Sequence, residues 1–421
     1  MRQAHAHLPQ IRRHGSCRAA AFGFALVGLA AILPACSQTQ HDPTDATAND
    51  VVIVADAPPD AVHTGPLVER LELGVVHTGA DGRSAEIKFD LPADVTAVVI
   101  VLDGPPDTWV QIGGLSPPGA IALVPPAWIG ISGSPAVCLQ PCANRVLAQP
   151  DVAAFLFPNT SLVQLRGGAH ALRVYAFNKA SDGPETTPAS VDVAVSLWLV
   201  RGVGAGRVRL AVNLAFTGAG GLNADHAMEV PAFASAVARM KQLLEGAGVE
   251  VDPLRLIDVA AEGRYIVSRK GGQSDLAKLF RSGKDAPIGL NVFVVDRIWA
   301  TEGGPGSDAL LGVSGGVPIA PNAVGSSRAG VALSWQLVED EPLLAGHVMA
   351  HEIGHVLGLF HTTEAPGASG NTTADTLPDT AAPAPQNLMH WSPTTKSDSL
   401  SHEQSNVIMR SPWLLSAEEA P

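Results

Sequence analysis

His351-Glu352-Ile353-Gly354-His355-Val356-Leu357-Gly358-Leu359-Phe360-His361 is the stretch on which the reading of this chain turns. On an α-helix, His351 and His355 lie one turn apart on the same face, about 6 Å along the axis, so both imidazoles reach one metal ion. Two ligands do not close a site. Gly358 suits the left-handed conformation that ends helices, which turns the chain and returns His361 to the same ion. Three neutral nitrogens leave the fourth position of a tetrahedron open to water. Glu352 projects about 100° around the helix from His351, beside that open position and off the metal. A helix with incidental histidines would explain neither the glutamate nor the glycine.

The pattern predicts that this helix starts near residue 340. Asp340 is placed to cap it, Pro342 is tolerated in a first turn, and Leu343, Leu344, Val348 and Val356 form an apolar stripe. Upstream, Val208 to Phe216 alternates as a strand. Residues 229 to 246 then put Phe233, Val237, Met240 and Leu244 on one helical face, before Gly246 and Gly248. Leu254 to Ala260, Leu290 to Val295 and Val331 to Trp335 read as further strands, the second apolar enough to be buried on both faces. Between 65 and 200 the texture differs. Short apolar runs at Leu71–His77, Ala85–Phe89, Ala97–Leu102, Trp109–Ile112, Ala153–Phe157, Ala171–Phe177 and Val191–Val200 alternate with Gly and Pro, as in a β-sandwich.

The spacing His-Glu-x-x-His-x-x-Gly-x-x-His is similar to that of the metzincin clan of zinc metallopeptidases. Members carry a methionine turn beneath the metal, and Asn387-Leu388-Met389-His390-Trp391 resembles it, with Met389 as the turn residue. Asp375-Thr376-Leu377-Pro378-Asp379-Thr380, leading into that turn, looks most like the pappalysin-like branch, although Ala381 stands where a proline is expected. The resemblance spans residues 205 to 412 and is sharp from 347 to 391. It implies one catalytic Zn²⁺ on His351, His355 and His361, with Glu352 as general base. The implied reaction is hydrolysis of peptide bonds in protein substrates without a covalent acyl-enzyme. It also implies a substrate extended along an antiparallel edge strand, for which Leu310 to Ile319 is the candidate.

Length and composition frame these readings. A chain of 421 residues, 46% apolar and 16% charged, can bury more than one core. A net charge of −13 argues against nucleic acid as a partner, because a binder needs a basic face to displace phosphate counterions. The first 36 residues read as a signal segment: Arg2, Arg12, Arg13 and Arg18 precede an apolar run from Ala19 to Ala35. Leu33-Pro34-Ala35-Cys36 resembles the lipobox of bacterial lipoproteins, which implies lipidation of Cys36 and a place in the bacterial envelope, at the outer membrane or cell surface. Ordinary secretion and a transmembrane anchor are the alternatives. Cys17 would leave with the signal, so Cys138 and Cys142 remain to form a disulfide in an oxidising compartment, or to offer a free thiol that blocks the metal.

The expected organisation is a signal peptide with lipobox (1–36), a flexible linker (37–62), an all-β sandwich-like domain (63–202) and an α/β metzincin-like catalytic domain (203–421) with a mixed sheet, active-site helix and Met-turn. Two other functions stay open: a surface-anchored binding or adhesion lipoprotein whose zinc site is structural or inactive, and a latent enzyme inhibited by residues 65–200. His347 lies one turn before His351 but outside the motif, and His390 reads as packing beside the metal. Asp375 and Asp379 could offer oxygen to Ca²⁺ or form a solvated acidic loop. Neither Tyr175 nor Tyr265 follows the Met turn, which disfavours a tyrosine ligand. Oligomeric state is not legible.

Overall fold

The computed structural model describes residues 67–119, 122–126, 137–138, 144–179, 186–202, 208–261, 264–267, 273–300, 309–321, 326–363, 375–380 and 384–415. The expected signal segment and linker, Cys36, Cys142 and the Cys138 side chain lie outside them, and with them the lipidation and disulfide expectations. Among the described residues, no helix is long and apolar enough to cross a membrane. The fold is mixed α/β and largely sheet.

The N-terminal half contains β1 (Leu67–His77), β2 (Ile87–Leu91), β3 (Val95–Asp103), β4 (Trp109–Ser116), β5 (Val137–Cys138), β6 (Val146–Leu147), β7 (Gln149–Pro150), β8 (Val152–Phe157), β9 (Gly168–Lys179), β10 (Thr186–Pro188) and β11 (Asp192–Arg201). Seven of these contain or overlap the expected runs. One antiparallel sheet has the order β1-β11-β3-β8; another has β10-β9-β4-β7, with β2 also on β9. Their facing side chains share a core that includes Val98, Ile100, Leu102, Phe155 and Phe157.

Strands β3 and β8 of the first sheet, with the end of β11, are buried on both faces, whereas β1 leaves residues such as Val75 exposed. Along β3, Val98, Ile100 and Leu102 point into that core, while Ala97, Val99 and Val101 point the other way, as period-two geometry requires. With Ala154, Leu156 and Val200 they join the main core of the C-terminal half. This explains why β3 is an almost unbroken apolar run in an antiparallel sheet, where one wet face would call for alternation. Each fully buried valine or leucine on that second face contributes about 1.5–3 kcal/mol relative to exposure. Residues on both sides of the expected boundary at 202–203 therefore share one core.

The C-terminal half contains β12 (Val208–Phe216), α1 (Pro231–Gly246), β13 (Val249–Asp258), β14 (Tyr265–Val267), α2 (Asp275–Arg281), β15 (Leu290–Val295), β16 (Arg297–Trp299), β17 (Ala309–Leu310), β18 (Gly312–Ser314), β19 (Val331–Ser334), α3 (Trp335–Asp340), α4 (Pro342–Val356), α5 (His402–Ile408) and β20 (Leu414–Leu415). Its main sheet runs β13-β12-β15-β19-β18. The first four strands are parallel, and β18 is antiparallel at the edge. β15 is buried along its whole length because Val292 and Val294 face α1 and α4, while Phe293 and Val295 face α2. Helices α1 and α4 cross closely at Gly346, where a Cβ would lie 2.6 Å from the Ala236 carbonyl oxygen.

Two local expectations need correction. Asp340 closes the short helix α3, and α4 begins after Glu341, which makes no side-chain cap; Pro342 does occupy the first turn. Leu343 is exposed and not part of the apolar stripe, because it points about 100° around the helix from Leu344 in the first turn.

Candidate metal centre

Helix α4 presents His351 and His355 from successive turns and ends in a Schellman motif. Gly358 N–H donates to His355 O at 3.0 Å, and Leu359 N–H donates to Gly354 O at 2.9 Å. Gly358 has φ +109°, as the sequence required of it. The reversed chain then brings His361 back to the helix.

Three imidazoles converge there. His361 Nε2 lies 3.3 Å from His351 Nε2 and 3.2 Å from His355 Nε2. His351 Nδ1 is 2.7 Å from Leu388 O, and His355 Nδ1 is 2.7 Å from Leu359 O. Because a carbonyl only accepts, both Nδ1 atoms carry the proton and both Nε2 atoms present lone pairs. Burial, with His361 nearby, pushes the His351 pKa down to about 3, so its ring is neutral at ordinary pH. His361 Nε2 faces both of these lone pairs, and a metal ion placed among the three nitrogens would be held by all of them. Metal–nitrogen bonds of about 2.0–2.1 Å in a tetrahedron put the nitrogens about 3.3–3.4 Å apart, so the donor set fits a metal ion of zinc's size. Among the described residues, this is the one group of three or more His, Cys, Asp or Glu side chains so placed, and it has no fourth member.

The segment of Met389 supports the ligands from below. Leu388 offers the carbonyl that orients His351, Met389 O accepts from Thr362 N–H at 2.9 Å, and Met389 N–H donates to Asn387 Oδ1 at 2.8 Å. Asn387 and Gln404 exchange amide hydrogen bonds at 2.7 and 3.1 Å, tying the turn to α5. The Met389 side chain is fully buried beneath α4, where a Cβ on Gly354 would stand 2.6 Å from its sulfur. Gly354→Ala should therefore destabilise the protein by about 1–3 kcal/mol through overpacking, despite alanine's better helix propensity. Urea unfolding would measure it; an unchanged midpoint would show that Met389 yields freely.

Glu352 is buried next to its helical neighbour His351. The edge strand β18 lies directly over it: a side chain at Gly312 would meet Val348 Cγ1 at 2.6 Å and Glu352 Cγ at 3.1 Å. Neither Gly354 nor Gly312 stood out in the sequence. The first sits inside the motif in a helix interior, where a glycine costs stability and so signals close packing, whereas nothing local marks the second.

The other residues weighed from sequence sit elsewhere. His347 Nδ1 pairs with Leu343 O at 2.8 Å and its Nε2 with Arg239 Nη2 at 3.1 Å, so it joins α4 to α1. His390 pairs with Ser392 O at 2.9 Å. Asp379 accepts from Ser401 Oγ at 2.7 Å and from Glu403 N–H at 2.9 Å at the start of α5. Asp375 accepts from Leu377 N–H and the Thr380 hydroxyl, while its Oδ2 is buried without a hydrogen-bond partner. Both carboxylates thus organise the loop, and neither belongs to a cation cluster among the described residues.

Burial raises the Asp375 pKa to about 6, with Asp379 adding to it, against the lowering effects of Thr380, Leu377 N–H and Arg145. A raised acid pKa means that folding disfavours the ionised form, so stability present below about pH 4 is lost as pH rises through about 6. Asp375→Asn should accordingly be more stable than wild type above pH 6, by on the order of 2 kcal/mol, with the gap closing toward pH 4. Thermal melts across that range test it; a gap that is independent of pH contradicts it.

A hydrogen-bonded Ser–His–Asp chain also exists, on the N-terminal half. Ser190 Oγ is 3.1 Å from His77 Nε2, and His77 Nδ1 is 2.8 Å from Asp192 Oδ1. All three side chains are exposed, and the serine hydroxyl also donates to Thr78 O at 2.9 Å. An open surface gives a developing oxyanion water in place of preorganised donors. His77 and Asp192 are register partners across β1 and β11, so the chain braces two strand ends.

No family profile matches the sequence, and no curated protein is similar to it. Among solved structures, metalloproteinase-II from Bacteroides fragilis superposes with a TM-score of 0.27 and 16% identity, over 47% of this chain and 51% of that one. A family two carbohydrate esterase from Cellvibrio japonicus gives 0.15 and 9%, over 55% and 67%. The chain thus spans about half the length of the metalloproteinase. Likenesses this distant assign no activity, and the chemistry of the site rests on its own geometry: three buried histidines placed to hold one metal ion.

Proposed function

We propose that the protein is a zinc-dependent endopeptidase of metzincin type, nearest the pappalysin-like branch. The observation that carries this reading is the convergence of three Nε2 atoms at tetrahedral spacing, beside a buried glutamate and under a sheet edge. A structural zinc site is closed by four protein ligands, whereas this group offers three among the described residues.

Bound zinc would supply Lewis-acid polarisation of a peptide carbonyl and would lower the pKa of a water molecule from 15.7 to roughly 7. The residues supply the rest. Glu352 accepts the proton of the attacking water and returns it to the leaving amine, and its burial keeps bulk water from competing for that proton. Leu388 O and Leu359 O hold two imidazoles in the tautomer that leaves Nε2 free. β18, the three-residue strand that ends the sheet order beside Glu352, is the element along which an extended peptide would be oriented through main-chain hydrogen bonds. From the sequence we further propose export to the bacterial envelope and tethering through lipidated Cys36, with protein or peptide substrates as partners.

The test is the metal content and casein hydrolysis of the purified chain, before and after chelation. About one zinc per chain with hydrolysis that chelator removes and zinc restores supports the proposal. One zinc without hydrolysis of any protein substrate would instead favour a binding lipoprotein with an inactive site.

A further inference from the structure

The turn that delivers His361 is built from both halves of the chain. Leu156 of β8 packs on Gly358: its Cδ2 lies 2.8 Å from where a Cβ would stand. Arg145, from the same half, reaches the residues that follow. Its side chain is buried, its guanidinium carbon lies 4.7 Å from the centroid of the Phe360 ring, and Nη1 is 3.5 Å from His361 O. Its charge also acts on the Asp375 carboxylate, whose backbone N–H donates to Thr362 O at 3.0 Å.

The arginine is itself firmly seated. Its N–H donates to Asn159 Oδ1 at 3.1 Å, and its carbonyl accepts from Asn159 Nδ2 at 2.8 Å. Asn144 Oδ1 accepts from Asn159 N–H at 2.7 Å, and Asn144 Nδ2 donates to Leu156 O at 3.0 Å. Burying a cation is unfavourable unless its surroundings offset the lost hydration. The Phe360 ring and the His361 carbonyl oxygen, with the field of the Asp375 carboxylate, offset it here. A lysine or an apolar side chain would meet these three partners less well, because only a planar guanidinium stacks and donates together.

We propose that Arg145 is a positioning residue for His361: by holding the His361 carbonyl and the Phe360 ring, it sets the approach of the third imidazole to the metal. This rests on the triad being a metal site. It makes the N-terminal sheets a working part of that site, which is the opposite of an inhibitory segment to be cut away. The doubly buried strands β3 and β8 join the two halves in the same sense.

The experiment uses the full chain as wild type, Arg145→Ala and Arg145→Lys, with His355→Ala as the control for a lost ligand. Co²⁺ titration followed by visible ligand-field bands reports geometry, and chelator competition reports Zn²⁺ affinity. Arg145→Ala should weaken Zn²⁺ binding about 10- to 100-fold, the size found when a group that orients a ligand is removed, and should shift the Co²⁺ bands. Arg145→Lys should recover part of both. Should the alanine variant fail to fold, Arg145→Gln keeps a donor without the charge and carries the same expectation. A variant that melts earlier when metal-free yet keeps wild-type affinity and spectrum overturns the positioning role alone. Wild type that takes up no Co²⁺ overturns the metal site and, with it, this proposal.

Discussion

Glu352→Gln should keep wild-type zinc content and lose about 10²- to 10⁴-fold in the rate of peptide hydrolysis, the usual contribution of a general base. The substitution preserves shape and burial, so β18 and Val348 retain their packing against residue 352. What disappears is the ability to hold a proton, because an amide oxygen is far less basic than a carboxylate. Metal analysis and initial rates on one preparation decide it. Equal activity would remove Glu352 from the chemistry, whereas loss of zinc would make it a structural member of the site.

His355→Ala should lose the metal itself. Two nitrogens cannot close a tetrahedral site, and this ring also ties Leu359 O to the end of α4, so its removal loosens the turn that delivers His361. A ligand that binds only the folded state stabilises it by about 4 kcal/mol when present at a thousand times its dissociation constant. Added Zn²⁺ should therefore raise the melting temperature of wild type and leave that of His355→Ala nearly unmoved. A variant that still responds to zinc like wild type would show that the histidines do not act as one site.

Within the site, the ligand set was legible because it is local. His351, Glu352, His355 and Gly358 occupy one helix and its end, where a period of 3.6 residues and the left-handed turn relate sequence distance directly to space. The long strands were legible in the same way, and β12 and β15 have the expected bounds, since period-two alternation or a continuous apolar run marks them. The short strands β5, β6, β7, β10, β14, β16 and β20 were not foreseen, and the expected edge from Leu310 to Ile319 holds only the end of β17 and the three residues of β18; two or three residues are too few to show a period. The start of α4 was misread because an acidic residue before a proline looks like a cap whether it opens one helix or closes another.

By itself, the sequence determined that three histidines and a glutamate share one helix end, that the N-terminal half is strand-rich, and that a strand apolar enough for burial on both faces lies before the motif. Tertiary structure alone decided which groups hold those side chains in place: Leu388 O on His351, Met389 under Gly354, Gly312 over Glu352 and Arg145 on the His361 turn. It also decided that Ala97, Val99 and Val101 face a second core. The physical reason is that these contacts join residues 35 to more than 200 positions apart, where no backbone period relates them and only the packing of sheets and helices brings them together.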